Sequence, residues 1–326
     1  MPKIDRIGIL TSGGDAPGMN ACIRAIVRSA SSFGIECYGI EEGYTGLING
    51  FVKKIDSRNV SDIIQKGGTI LRTSRCPEFL EYKYRKKAYN VLKAYNIGGL
   101  VVIGGNGSLA GMKEFYNDFK VPCVGLPGTI DNDLSYTDYT LGFDTACNTV
   151  LGAINNIRDT MTAHNRACII EVMGRHCGDI ALYAGISGGA EIILVPEIPL
   201  NIDDIVETIN LDKIKGKNSV IIILAEGVCK CEELKQQILD KVEDLQIRTV
   251  KLGYIQRGGM PTMQDRMLAA RCGYKAVELL NNSIEPFSKA VGIHDNKIVA
   301  VDIDKALSKD SKFDNELYKI SNILGK

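Results

Sequence analysis

Residues 127–133 read P-G-T-I-D-N-D, which sets two carboxylates, Asp131 and Asp133, one residue apart behind a small-residue turn. The turn follows directly on the apolar run V-P-C-V-G-L at 121–126, so the acid pair is presented at the carboxyl end of a strand. In an open α/β sheet such an end opens into the crevice where ligands bind. Taken alone, Asp-Asn-Asp reads as a solvated turn, because Asp and Asn favour turns. Two further glycine-rich strand ends argue for a ligand crevice instead.

The first is T-S-G-G-D-A-P-G-M-N at 11–20, after I-G-I-L and before a helical pattern that starts near Asn20. The second is G-G-N-G-S at 104–108, after L-V-V-I and before another helix. Each is a strand, a glycine turn and a helix N-terminus, where free backbone N–H groups and the helix dipole hold an anion. Together the three loops suggest one crevice of polyphosphate size. They do not fit the common nucleotide fingerprints. No G-x-x-x-x-G-K-[ST] occurs, which excludes a P-loop. The spacing Gly105-x-Gly107-x-x-x-Gly111 is wrong for a dinucleotide site, and residues 122–126 supply no acid for a ribose hydroxyl. There is no H-R-D or D-F-G, which excludes the protein-kinase plan.

These loops need a scaffold. Strand-like apolar runs recur at 7–10, 36–40, 100–103, 121–126, 167–172, 191–195, 219–225 and 249–255. Helical periods lie between several of them, among others at 20–33, 82–95, 108–119, 145–160 and 232–245. Such alternation implies an α/β fold whose sheets are mostly parallel and flanked by helices. With 326 residues, 45% of them hydrophobic, two lobes fit better than one sheet. The chain is expected to cross from the first lobe to the second near Gly142 and to return near Gln256. Lys plus Arg (39) equals Asp plus Glu (39), so no global charge draws the protein to nucleic acid or membrane. No run of 18 apolar residues and no signal peptide is visible, which points to the cytoplasm. Most of the ten cysteines lie in apolar segments, and Cys229-Lys230-Cys231 lacks zinc spacing; a reduced compartment is expected rather than a disulfide or metal framework.

With the three loops in hand, the chain closely resembles the bacterial ATP-dependent 6-phosphofructokinase family. The likeness extends through G-G-T at 67–69, R-C-P-E-F at 75–79, I-E-V-M-G-R-H-C-G-D at 170–179, G-G-A-E at 188–191, A-E-G at 225–227 and Q-R-G-G at 256–259. It implies the phosphofructokinase fold, with an ATP-binding lobe of residues 1–142 plus 256–306 and a sugar-phosphate lobe of residues 143–255 plus 307–326. It also implies transfer of the γ-phosphoryl of ATP to the 1-hydroxyl of fructose 6-phosphate, with Mg²⁺ accompanying the nucleotide. Phosphoryl transfer needs positioning, charge neutralisation and a carboxylate to accept the hydroxyl proton. By match to the family motif Asp131 is that base, with Thr129, Asp133 and Arg175 beside it.

The resemblance assigns Gly14, Tyr44, Arg75, Cys76, Gly105, Asn106, Gly107, Ser108 and Gly111 to ATP. To the sugar phosphate it assigns Thr129, Asp131, Met173, Gly174, Arg175, Glu226, Tyr254, Gln256 and Arg257, since guanidinium forks suit phosphate oxygens. Arg166 and Arg248 match arginines that reach in from a neighbouring subunit, which implies a homotetramer with shared active sites. Arg24 and Arg28, spaced i, i+4 on one helix face, would alone read as exposed arginines. The family places a nucleoside diphosphate effector there, with ADP activating and phosphoenolpyruvate inhibiting, and with Asp62, Arg158, Gly189, Glu191, Lys215 and Lys217 as its other positions. Glu191 is expected to be able to face the Mg²⁺ carried by ADP.

Two positions depart from the family pattern. Asn106 stands where the family usually has an Asp that helps hold the catalytic Mg²⁺, and Tyr254 stands where a His usually precedes Q-R-G-G. Tyr can still donate a hydrogen bond to phosphate, so altered affinity rather than loss is expected. A pyrophosphate-dependent relative is the nearest rival. In that branch the places of Gly107 and Gly128 are commonly Asp and Lys, and the small residues here leave room for the α-phosphate of a nucleotide. A catalytically weak regulatory paralogue is the other rival, supported only by Asn106.

Overall fold

The computed structural model describes residues 3–217, 219–308 and 313–325, so part of the 307–326 stretch assigned to the second lobe lies outside the described residues. The elements are, in chain order, β1 (Arg6–Ser12), α1 (Met19–Ser32), β2 (Glu36–Ile40), α2 (Gly43–Asn49), β3 (Val52–Ile55), α3 (Tyr82–Ala94), β4 (Gly99–Gly104), α4 (Asn106–Phe119) and β5 (Cys123–Pro127). They continue with α5 (Phe143–His164), β6 (Ala167–Val172), α6 (Asp179–Ser187), β7 (Ile192–Leu194), α7 (Ile202–Ile214), β8 (Ile221–Ala225), α8 (Cys231–Leu239) and β9 (Ile247–Lys251). The last are α9 (Met263–Asn281), β10 (Ser288–His294), β11 (Lys297–Asp302), α10 (Ile303–Ala306) and α11 (Asn315–Leu324).

The chain forms two compact units. The first comprises Met1–Ile130, Leu134–Thr145 and Arg257–Ser311; the second comprises Asp131–Asp133, Ala146–Gln256 and Lys312–Lys326. The chain passes between the units near residues 145 and 256, and Asp131–Asp133 group with the second unit although Thr129 stays in the first.

The first unit holds a sheet of order β11-β10-β5-β4-β1-β2-β3. Its central pairs are parallel, while β3 and β11 run antiparallel at the two edges. Central strands such as Leu100-Val101-Val102-Ile103 are apolar throughout and fully buried, as expected for strands covered on both faces. Because β2 lies on one side of β1 and β4 on the other, the strand order reverses at β1/β4, the place where such sheets bind ligands. Ser12 is registered with Gly104, and Gly104 with Pro127, so all three glycine-rich loops leave neighbouring strand ends.

The second unit holds an all-parallel sheet of order β7-β8-β6-β9, with Val172 registered against Ala225 at the carboxyl ends of β6 and β8. Its core is aliphatic, with Ile169, Ile222 and Leu224 packed against Ile205, Ile209 and Leu234.

Several elements differ from the sequence reading. The strand expected at 249–255 is β9 at Ile247–Lys251, followed by a 3₁₀ turn at Gly253–Arg257. The helix expected at 232–245 stops at Leu239. The β10–β11 hairpin was not foreseen: its turn, Asp295-Asn296, takes positive φ at both residues without the glycine that usually signals one.

Candidate active site

Gly105 caps α4 without any side-chain hydrogen bond, its own carbonyl accepting Ser108 N at 3.0 Å, and the amino-terminal end of such a helix is where an anion is favoured. Asn106 and Gly107 are exposed there while Ser108 is buried. A Cβ on Gly107 would meet nothing within 4 Å, so the position faces open space. Gly128 is the opposite case: a Cβ there would lie 2.9 Å from Ile103 and 3.0 Å from Met19, and packing demands the glycine.

Tyr44 is 4% exposed, its ring stacks on Phe79 at 3.9 Å, and its hydroxyl donates to the Ser108 carbonyl at 2.6 Å. A Cβ on Gly111 would lie 3.2 Å from the same ring. Both were assigned to ATP; burial in an aromatic cluster instead makes them the support under the α4 loop. Arg75 is exposed and Cys76 partly so, just before the 3₁₀ turn Pro77–Leu80. Thr129, partly exposed, packs 3.5 Å from the Cβ position of Gly105, and its carbonyl accepts the Thr140 hydroxyl at 2.6 Å.

Arg257, assigned to the sugar phosphate, lies in the first unit with its guanidinium in the space a Cβ on Gly14 would occupy. Gly14 therefore lets that cation lie against the β1–α1 loop. Among the residues that sequence reasoning missed is Asp265, 1% exposed on α9. It accepts Gly142 N at 2.8 Å, Thr145 N at 2.9 Å and the Thr145 hydroxyl, while Thr145 Oγ1 accepts Thr262 N at 3.0 Å. Burial pushes the Asp265 carboxyl up to about 6 despite these donors. The T-x-x-D spacing of 262–265, with Thr262 Oγ1 accepting Asp265 N, was the available signal.

In the second unit Asp131 is 3% exposed and Arg175 Nε lies 3.4 Å from its Oδ2. Arg175 takes φ 54°, the left-handed region, and is held by its N–H donating to Glu226 Oε1 at 3.0 Å. A Cβ on Gly227 would overlap the Arg175 carbonyl, so A-E-G places a carboxylate and then vacates space for the arginine backbone. Gln256 is fully buried: its Oε1 accepts Met173 N at 3.1 Å and its Nε2 donates to the Gly253 carbonyl at 3.0 Å. It therefore serves the M-G-R turn by holding Met173 and offers a ligand no surface, contrary to its assignment as a contact. Tyr254, by contrast, is 82% exposed.

Arg166 and Arg248 lie at the amino-terminal ends of neighbouring strands, Cys168 being registered with Arg248. Arg166 donates to Gln246 Oε1 at 2.8 Å. At ~3.3 Å per strand residue they sit roughly 20 Å from Met173–Arg175 at the other end of the sheet. The two arginines lie near one another at this end of the sheet, two register positions apart, and away from the sugar-phosphate residues of their own unit.

The effector positions divide between the units. Arg24 is partly exposed and Arg28 exposed on α1, with neither engaged in an ion pair among the described residues; exposed Asp62 has φ 53°. In the second unit Glu191 Oε1 meets Lys217 at 2.7 Å and Arg158 at 3.2 Å, while its Oε2 accepts Ile221 N at 2.6 Å. Arg158 also donates to the carbonyls of Gly188 at 3.0 Å and Gly189 at 2.6 Å. With both oxygens engaged inward, Glu191 organises two cations here; the expected face toward a Mg²⁺ carried by ADP is not presented. Exposed Lys215 ends α7. None of the ten cysteines is joined in a disulfide.

Phosphate-ready loops at three registered strand ends, and a buried carboxylate beside a guanidinium, belong to a phosphoryl-transfer enzyme. The chain is a member of the phosphofructokinase family, whose model, described as Phosphofructokinase, matches residues 6–280. Among its curated relatives is the ATP-dependent 6-phosphofructokinase of Clostridium botulinum strain Hall, 54% identical over 320 residues that cover 98% of this chain and 99% of the relative. The protein of the same name from Clostridium acetobutylicum is 55% identical with the same coverage. The solved phosphofructokinase of Saccharomyces cerevisiae superposes with a TM-score of 0.89 at 34% identity, covering 93% of this chain and 45% of the yeast chain, so this chain spans less than half of that one. A pyrophosphate-dependent phosphofructokinase from Marinobacter aquaeolei shares the fold, with a TM-score of 0.83 at 21% identity, covering 96% of this chain and 86% of that one.

Proposed function

We propose that the protein transfers the γ-phosphoryl of ATP to the 1-hydroxyl of fructose 6-phosphate, giving fructose 1,6-bisphosphate and ADP. The observation that carries this is Asp131, a buried carboxylate with Arg175 at 3.4 Å. Near full-length identity to relatives named ATP-dependent 6-phosphofructokinase supports the same reaction. The hydroxyl oxygen forms the new bond to phosphorus, its proton goes to Asp131, and the bond to the β-phosphate breaks with its electron pair leaving on ADP. Arg175 neutralises charge that builds on the transferring group, and the first turn of α4 supplies N–H donors to the nucleotide phosphates.

Mg²⁺ bound with ATP would neutralise phosphate charge. Asn106, exposed on that first turn, fits as a neutral oxygen donor to such an ion, because Mg²⁺ in these sites draws most of its ligands from substrate phosphates and water. Open space at Gly107 admits a nucleotide α-phosphate, and the close packing at Gly128 leaves no room for the Lys of the pyrophosphate branch; both favour ATP.

Arg166 and Arg248 lie too far from Met173–Arg175 along their own sheet to join it, which supports their service to a neighbouring subunit of a homotetramer. Arg24, Arg28, Asp62, Arg158, Gly189, Glu191, Lys215 and Lys217 form the proposed effector set for ADP and phosphoenolpyruvate. A cytoplasmic location belongs to the same proposal; among the described residues no helix is long and apolar enough to cross a membrane. The deciding experiment is a coupled assay of fructose 6-phosphate with ATP or pyrophosphate in parallel, across a Mg²⁺ series. Turnover with ATP is expected, and activity with pyrophosphate alone would overturn the donor.

A further inference from the structure

Asn132 stands between the two carboxylates of the T-I-D-N-D turn, and Asp179 closes the I-E-V-M-G-R-H-C-G-D motif; the reaction scheme above uses neither. Asn132 is 1% exposed and Asp179 5% exposed, and the Asn132 side-chain Nδ2 donates to Asp179 Oδ2 at 2.8 Å. Asn132 takes φ 54°, a conformation that costs most residues strain and that Asn tolerates better than most. Asp179 is itself anchored. It is the first residue of α6, and the preceding Gly178 donates its N–H to Glu197 Oε1 at 2.9 Å. A Cβ on Gly178 would lie 2.5 Å from Val195 and 2.7 Å from Glu197 Oε2, so the backbone at the start of this helix is packed closely against both side chains.

We propose that Asp179 is a positioning residue for the catalytic base: by accepting the Asn132 amide it holds the turn in its left-handed conformation and thereby aims the adjoining Asp131 carboxylate. The inference rests on Asp131 being the base. A side chain one residue away cannot keep its direction while the backbone of Asn132 rotates, because the two share a peptide plane. Arg175 Nε lies 3.4 Å from Asp131 Oδ2, and half of the Arg175 side chain is exposed. The buried Asn132–Asp179 bond constrains the turn itself. What the turn requires of Asp179 is an acceptor, not a charge.

The test is steady-state kinetics of the full-length enzyme with thermal midpoints recorded alongside. Asp179→Ala removes the acceptor and is expected to lower kcat about 10²-fold, the scale of a misplaced catalytic group, with the KM for fructose 6-phosphate nearly unchanged. Asp179→Asn keeps an oxygen acceptor and is expected to recover most of that rate. Asn132→Asp sets two carboxylates against each other and is expected to fall as Asp179→Ala does. Combining Asn132→Asp with Asp179→Asn reverses the direction of the bond and is expected to restore rate relative to Asn132→Asp alone. That comparison stands even if Asp179→Ala does not fold. An Asp179→Asn enzyme as slow as Asp179→Ala, or a double variant no faster than Asn132→Asp, overturns the proposal. Asp131→Ala in parallel keeps the two ideas apart: loss of activity there with a fully active, folded Asp179→Ala sinks the positioning role alone, whereas near-normal kcat in Asp131→Ala sinks the base.

Discussion

Asp131, the proposed base, and Asn106, the proposed metal contact, differ in how the fold treats them. Asp131 is buried beside Arg175, whereas Asn106 is exposed on the first turn of α4. Asp131→Ala is expected to lower kcat by about 10² to 10⁴, the usual contribution of a general base, with a modest change in fructose 6-phosphate binding. Initial-rate measurements check it, and a variant with near-normal kcat removes Asp131 from the mechanism. In the proposed reading Asn106 offers an amide where the family pattern has a carboxylate, which keeps an oxygen acceptor but leaves one formal charge fewer for Mg²⁺. The wild-type enzyme is expected to turn over, and Asn106→Asp to lower the half-saturating Mg²⁺ concentration. Activity appearing only in the variant would favour the weak-paralogue idea, and identical Mg²⁺ curves would detach the residue from the metal.

Between elements, two contacts set the local geometry of the loops. Gly227 follows β8 and gives its side-chain space to the Arg175 carbonyl. Gly227→Ala must therefore move backbone; it is expected to raise the KM for fructose 6-phosphate and to cost about 1–3 kcal/mol of stability, as overpacking does. Activity and unfolding curves unchanged from wild type would contradict that packing. Asp265 joins α9 to the start of α5 through Gly142 and Thr145. Its folded-state pKa of about 6 lies above the ordinary Asp value of 3.8, so the folded chain binds this proton more tightly than the unfolded chain does. This carboxyl's contribution to stability accordingly improves as the pH falls through about 6 toward 4 and is lost as the pH rises again. Relative to Asp265→Asn, which does not titrate, the wild-type thermal midpoint is expected to climb over that acid range. A pH-independent difference between the two would refute the assignment.

At the scale of the whole molecule the question is how subunits and effectors act together. If Arg166 and Arg248 complete the site of a neighbour, two variants each nearly inactive, Asp131→Ala and Arg166→Ala, should yield activity when their subunits are mixed by co-expression, because some mixed sites then carry both native residues. Inactive mixed oligomers would place Arg166 in its own subunit's chemistry. Arg24→Ala with Arg28→Ala is expected to abolish the response to ADP and phosphoenolpyruvate while leaving effector-free turnover largely intact. Effector titrations that match wild type would move the effector site elsewhere.

The linear chain by itself determined the α/β class, the glycine loops and the Asp131 turn, since each rests on local physics: apolar runs that mark buried strands, and glycines that mark turns before helices. It determined family membership as well, through many short motifs at matching spacing. The hairpin at Asp295-Asn296 escaped because its turn lacks glycine, and α9 because its buried Leu268, Cys272 and Leu280 alternate with an exposed Met263 and Met267. Only the tertiary structure decided which motif residues are packed away and which stay exposed. Tyr44, Gly111 and Gln256 looked like contacts and are packed beneath the loops, and Arg257 lies against Gly14. Asn132 and Asp179, 47 positions apart, meet in one buried hydrogen bond. Such pairings come from long-range packing, which brings together side chains whose separation along the chain carries no periodicity to read.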